Sequence, residues 1–129
     1  MADGLGFNGG ITAAYGIGDM DRTLKWYQEV LGFELAFRED SVGWAEVTSP
    51  AQGVTIGFSP VEKVEVKGGP TLTFGVEDIE ATRSTLESRG VEFDGDIVEY
   101  PGMVKLTTFY DPDGHKLMLF QALAGDGCG

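Results

Sequence analysis

Cysteine and histidine are almost absent from this chain of 129 residues: each occurs once, as Cys128 and His115. A lone thiol closes no internal disulfide and builds no thiolate metal site, so a reducing cytoplasm is the expected location. A lone histidine leaves no Ser-His-Asp or Cys-His set to assemble. His115 follows the turn Asp111-Pro112-Asp113-Gly114, and its pleat points toward a helix, which reads as structural. Basic side chains are scarce too, nine Lys and Arg against 21 Asp and Glu, for a formal net charge of -12. That balance excludes nucleic acid and anionic membranes as partners, because phosphate binding needs clustered cations. No apolar run approaches the roughly 18 residues of a membrane-spanning helix. The start, Met1-Ala2-Asp3-Gly4, has neither the basic nor the apolar segment of a signal peptide, so none is expected. The 20 glycines are abundant but scattered, with neither a collagen period nor phosphate-loop spacing. A 42% hydrophobic and 23% charged composition is that of a soluble globular domain.

What is present is a pattern written twice. Ile11–Asp21 recurs at Pro70–Glu80, with Thr12 on Thr71, Tyr15 on Phe74, Gly16 on Gly75 and Asp19 on Asp78. Leu31–Leu35 recurs at Arg89–Phe93, Gly43–Thr48 at Gly102–Thr107, and Gly53–Phe58 at Gly114–Leu119. The same order of four matches marks a tandem repeat. In each copy an alternating strand (11–18, 70–77) leads to Asp19 or Asp78 at a helix N-cap. Helices follow over 20–31 and 79–89, stopped by Gly32 and Gly90. Three strands complete each copy, at 33–40, 42–49 and 53–59, then 91–99, 103–110 and 115–121. The fold class is thus α+β, two tandem βαβββ modules. The chain reads as a single domain, 1–129, of two repeats. The first module spans 10–60 and the second 69–121, with 60–69 a linker and 122–129 a flexible tail.

Alternation assigns a face to each strand residue. Ala13, Tyr15, Ile17, Ala45, Val47, Ile56 and Phe58 are expected to pack on the first helix, and Leu72, Phe74, Val104, Leu106, Leu117 and Leu119 on the second. The opposite face then holds Thr12, Trp44, Glu46, Gly57, Thr71, Thr73, Met103, Lys105, Phe109, Met118 and Phe120, with Arg38 on the preceding strand. Apolar walls with a few polar groups describe a small-molecule pocket. The same residues would also serve as filler between the copies or as a dimer interface.

The segment from Asp19 to Phe33, Phe74-Gly75-Val76-Glu77-Asp78 and Asp111-Pro112-Asp113-Gly114-His115 together resemble the vicinal oxygen chelate superfamily, which includes glyoxalases, bleomycin-resistance proteins and extradiol dioxygenases. The resemblance covers about residues 10–121. It implies paired modules forming a curved mixed-sheet cup with helices outside, and frequent homodimers. Metal-dependent members carry ligands on the first and last strand of each module, and those positions fall here on Thr12, Gly57, Thr71 and Met118. None is a usual donor for a hard or borderline divalent cation, so a member with no metal cofactor is expected.

Glu46 and Lys105 read as repeat equivalents on the pocket face, with Arg38 beside them. They form a structural ion pair or a solvated rim, or else Glu46 meets a cation or acts as a base while Lys105 or Arg38 meets an anion. Tyr100, before Pro101-Gly102, is placed to close the pocket mouth. The expected function is metal-independent binding of a planar or aromatic ligand, a cationic one being favoured by the acidic balance, for sequestration or resistance as the resemblance implies. Two alternatives remain: a metal-independent isomerase, cyclase or lyase using Glu46 or Tyr100 as acid/base, and a divalent-metal lyase or dioxygenase with other ligands.

Overall fold

The computed structural model describes residues 4–6 and 8–123. Cys128 and most of the expected tail lie outside them. The chain divides into two compact units, Met1–Glu65 and Val66–Gly129.

In the first unit, β1 (Ile11–Ile17) leads into α1 (Met20–Glu29). The Asp19 carboxylate accepts the Arg22 backbone N–H at 2.9 Å and so starts the helix. Met20, Thr23, Leu24 and Tyr27, spaced by three and four, form its buried stripe. After Gly32 (φ 77°) come β2 (Leu35–Glu39), a 3₁₀ turn at Asp40–Val42, β3 (Trp44–Thr48) and β4 (Val54–Pro60). The sheet order is β1-β4-β3-β2, with β1 and β4 parallel and the other pairs antiparallel. Ala45, Val47, Ile56 and Phe58 are fully buried, as expected, and the Tyr27 ring lies 4.8 Å from that of Phe58.

The second unit repeats the plan. β5 (Leu72–Gly75) precedes α2 (Ile79–Ser88), capped by Asp78, whose carboxylate accepts the Ala81 N–H at 3.1 Å. Then follow β6 (Val98–Tyr100), β7 (Val104–Tyr110) and β8 (Lys116–Ala122), in sheet order β5-β8-β7-β6. The α+β class and the tandem βαβββ order are therefore observed. The strand expected over 91–99 shrinks to Val98–Tyr100. Asp94-Gly95-Asp96 turns the chain, with Gly95 at φ 77°, and before β6 a single bridge joins Phe93 to Phe109.

The larger correction concerns β7. Its register with β8 sets Lys105 opposite Gln121, Thr107 opposite Leu119 and Phe109 opposite Leu117. Residues directly opposite share a face, and Leu117 and Leu119 are buried in the core, so the odd-numbered residues of β7 point toward α2. Phe109 is fully buried, 5.3 Å from the Phe93 ring. Thr107 accepts a hydrogen bond from Arg83 Nη1 at 2.9 Å, and Lys105 donates to Glu80 at 2.7 Å. The expected sides of Lys105 and Phe109 are thus reversed, as are those of Val104 and Leu106. Apolar residues occur at both parities of this strand, so alternation alone could not choose between them.

Candidate functional site

On the face of the first sheet away from α1, the ladder aligns Thr12 with Thr55, Thr55 with Thr48, and Ala14 and Glu46 with Gly57. The Thr12 and Thr55 hydroxyls are 2.9 Å apart. Thr55 donates to Glu46 Oε1 at 3.0 Å, and the Trp44 indole N–H donates to Glu46 Oε2 at 2.8 Å. Each carboxylate oxygen thus has one donor, which fixes the Glu46 rotamer and ties it to Trp44. The six-membered ring of Trp44 lies over the Cα of Gly57, where any Cβ would clash with it. Thr12, Trp44, Glu46 and Gly57 therefore meet on one face, as the alternation predicts. Thr55 belongs to the same network, and its direct pairing with Thr12 and Thr48 is a property of register rather than of sequence.

Arg38 does not join them. It pairs with Ala45 across the ladder, which turns it to the helix side, and it bonds Asp21 and Asp40, each at 2.7 Å. The hydrogen bonds it donates to those carboxylates, Asp40 first, hold its guanidinium more firmly protonated than usual. Its strand neighbours Phe37 and Glu39 occupy the open face instead, in register with Glu46 and Trp44.

In the second unit the corresponding face holds Thr73, Gly75, Leu106, Thr108, Met118 and Phe120. Phe120 lies across Gly75, where a Cβ would come 2.9 Å from its Cζ. Thr71 precedes β5, and its carbonyl accepts from Thr73 Oγ1 at 3.3 Å. Tyr100, 52% exposed, is in register with Val104 and so shares this face. Met103 sits outside the strand in the turn closed by its own N–H on the Tyr100 carbonyl, and is 59% exposed. Lys105 and Phe109 are absent from the face for the reason given above. The equivalence of Glu46 and Lys105 also fails: Glu46 faces Gly57, whereas it is Thr108 that faces Met118. Leu106 and Thr108, missed from sequence, take the places assigned to Lys105 and Phe109.

The Lys105–Glu80 contact has an electrostatic signature. Chiefly through this hydrogen bond, the Glu80 carboxyl is held below its ordinary range and the Lys105 ammonium above its own. His115 is buried, its backbone N–H bonded to Asp111 Oδ1 at 2.8 Å, within the turn that launches β8.

At the positions where ligands are expected, the side chains do not offer the usual donors for a divalent ion. In the first unit the Thr12 hydroxyl is paired with Thr55, and the space above Gly57 is filled by Trp44. In the second, Met118 offers only a thioether, which suits soft ions. Among the described residues no group of three His, Cys, Asp or Glu is placed to hold a metal.

Comparison with known proteins agrees with this architecture. A lactoylglutathione lyase of Oryza sativa subsp. japonica is 27% identical over 118 residues, covering 80% of this chain but only 40% of the rice protein. A Synechocystis protein named "Probable lactoylglutathione lyase" is 28% identical over 120 residues, covering 81% of this chain and 88% of its own. An antibiotic binding protein from Streptomyces sp. CB03234 shares the fold, with a TM-score of 0.77, 21% identity, and coverage of 92% of this chain and 98% of that one. The family model described as the Glyoxalase/Bleomycin resistance protein/Dioxygenase superfamily matches residues 12–119, and the chain belongs to that superfamily.

Proposed function

We propose that this protein is a metal-independent binder of a planar or aromatic small molecule, acting by sequestration, with Trp44 as the stacking surface. The observation that carries the reading is the Trp44 indole, held over Gly57 and tethered to Glu46. A ring fixed in this way loses little rotamer freedom when a ligand stacks on it, so more of the stacking energy, about 0.5–1.5 kcal/mol beyond area burial, appears as affinity. Thr12 and Thr55 supply hydroxyls beside it, and Thr73, Met118 and Phe120 belong to the reading as the second unit's surface. The fold shared with an antibiotic binding protein supports a binding role. Our reading includes a homodimer located in the cytoplasm.

The names of the sequence relatives favour a second reading, a lactoylglutathione lyase, which the family resemblance would make dependent on a divalent metal. Native mass spectrometry and metal analysis of purified protein, followed by thermal shift with Ni²⁺, Zn²⁺ and Mn²⁺, separate the two. The binding reading expects substoichiometric metal and an unmoved Tm. It also expects saturable binding of aromatic probes that Trp44→Ala weakens. One metal ion per chain together with lactoylglutathione turnover would replace it with the lyase.

A further inference from the structure

Resting on that reading, we propose that the site selects a cationic ligand, and that Glu46 is the group meeting its charge. The sequence places two basic side chains, Lys105 and Arg38, beside Glu46 as candidate counter-ions. In the structure each is instead paired with a carboxylate of its own unit. Lys105 turns to α2 and bonds Glu80, while Arg38 turns to the helix side and bonds Asp21 and Asp40. The strand residues left on the Trp44 face are small, hydroxylic, aromatic or acidic: Thr12, Thr55, Gly57, Phe37, Glu39 and Glu46.

The Glu46 carboxylate is fixed by one neutral donor on each oxygen, Trp44 Nε1–H and Thr55 Oγ1–H. A carboxylate has about four acceptor directions, so two donors leave capacity for a charged N–H. Neutral donors position the charge without neutralising it. Glu39, in register with Trp44, adds a second negative charge on the same face, its own Oε2 accepting from Ser41 at 2.7 Å. A cation stacked on the indole meets the negative face of the ring and a carboxylate at once. A neutral ring gains only the stacking, and an anion is repelled. The ligand class is therefore a planar cation, such as a protonated or quaternised heteroaromatic.

Two probes of nearly equal shape, N-methylquinolinium and 1-methylnaphthalene, test the charge alone. Binding is read from the indole N–H resonance of Trp44 in ¹H–¹⁵N spectra, assigned by its loss in Trp44→Phe. The cation should bind about tenfold tighter or more. Glu46→Gln, which keeps an acceptor for the indole, should bring the two affinities within about twofold. On the unmodified protein, 1 M NaCl should weaken the cation and spare the neutral probe, a readout independent of any variant's folding. Equal affinities in the unmodified protein, or a cation preference indifferent to both Glu46→Gln and salt, would overturn the proposal while leaving the stacking surface intact. A Trp44 signal moved by neither probe would remove the stacking surface itself.

Discussion

The ring of Trp44 occupies the volume that any side chain at Gly57 would need. The two residues lie on adjacent strands, and Glu46, hydrogen-bonded to the indole, is the ladder partner of Gly57. Gly57→Ala should therefore force the indole off the sheet. Overpacking of this kind costs about 1–3 kcal/mol. Urea unfolding measures the cost, and a shift in tryptophan emission reports the displaced ring. The double variant Trp44→Ala/Gly57→Ala should be more stable than the sum of the single effects implies, since removing the ring removes the clash. Strict additivity would mean that the ring does not need the glycine.

Lys105 and Arg38 each lie on the helix side of their own sheet, paired with Glu80 and with Asp21 and Asp40 respectively. Lys105→Met and Arg38→Met should leave N-methylquinolinium affinity within about twofold, against a loss of about tenfold for Glu46→Gln. Titration by the Trp44 resonance compares them directly. A tenfold effect at Lys105 would show that its pairing with Glu80 does not keep it from the ligand.

The pH dependence of stability should carry the mark of the Lys105–Glu80 pair. The Glu80 carboxyl is lowered in the folded state, so its contribution is present above the ordinary carboxylate value and is lost as pH falls through the lowered one. Lys105 is raised, so its share is present below the ordinary lysine value and lost as pH rises through the raised one. Glu80→Gln should thus lower Tm slightly across the middle of the range and converge with the unmodified protein in acid, where Glu80 is protonated in both folded and unfolded chains. The effect is small because the pair is partly exposed and screened, and it should shrink further in 1 M salt. A constant gap down to pH 2 would assign it to packing instead.

A formal net charge of -12 on 129 residues implies self-repulsion in the compact state. Raising NaCl from roughly 0.1 to 1 M shortens the screening length from about 10 to 3 Å and should raise Tm by a few degrees. Differential scanning calorimetry provides the check. A Tm that fell with salt would show ion pairs such as Arg38 with Asp21 and Asp40 outweighing the repulsion.

Much of this molecule is written in local sequence. Asp19 and Asp78 begin helices because their carboxylates reach the first-turn N–H groups, and Gly32 and Gly90 end them with positive φ. In β3 the alternation of Ala45 and Val47 with Trp44 and Glu46 leaves one apolar side, so its orientation follows from the residues alone. β7 has no such asymmetry. Val104 and Leu106 argue for one side and Phe109 for the other, so pairing with β8 decides, with Phe93, Arg83 and Glu80 completing the helix side. That choice of parity, made by contacts distant in sequence, is what turns Lys105 to α2 and Glu80. The seating of Trp44 over Gly57 likewise depends on two strands meeting in one register, because a glycine in a sequence does not say what will fill the space above it.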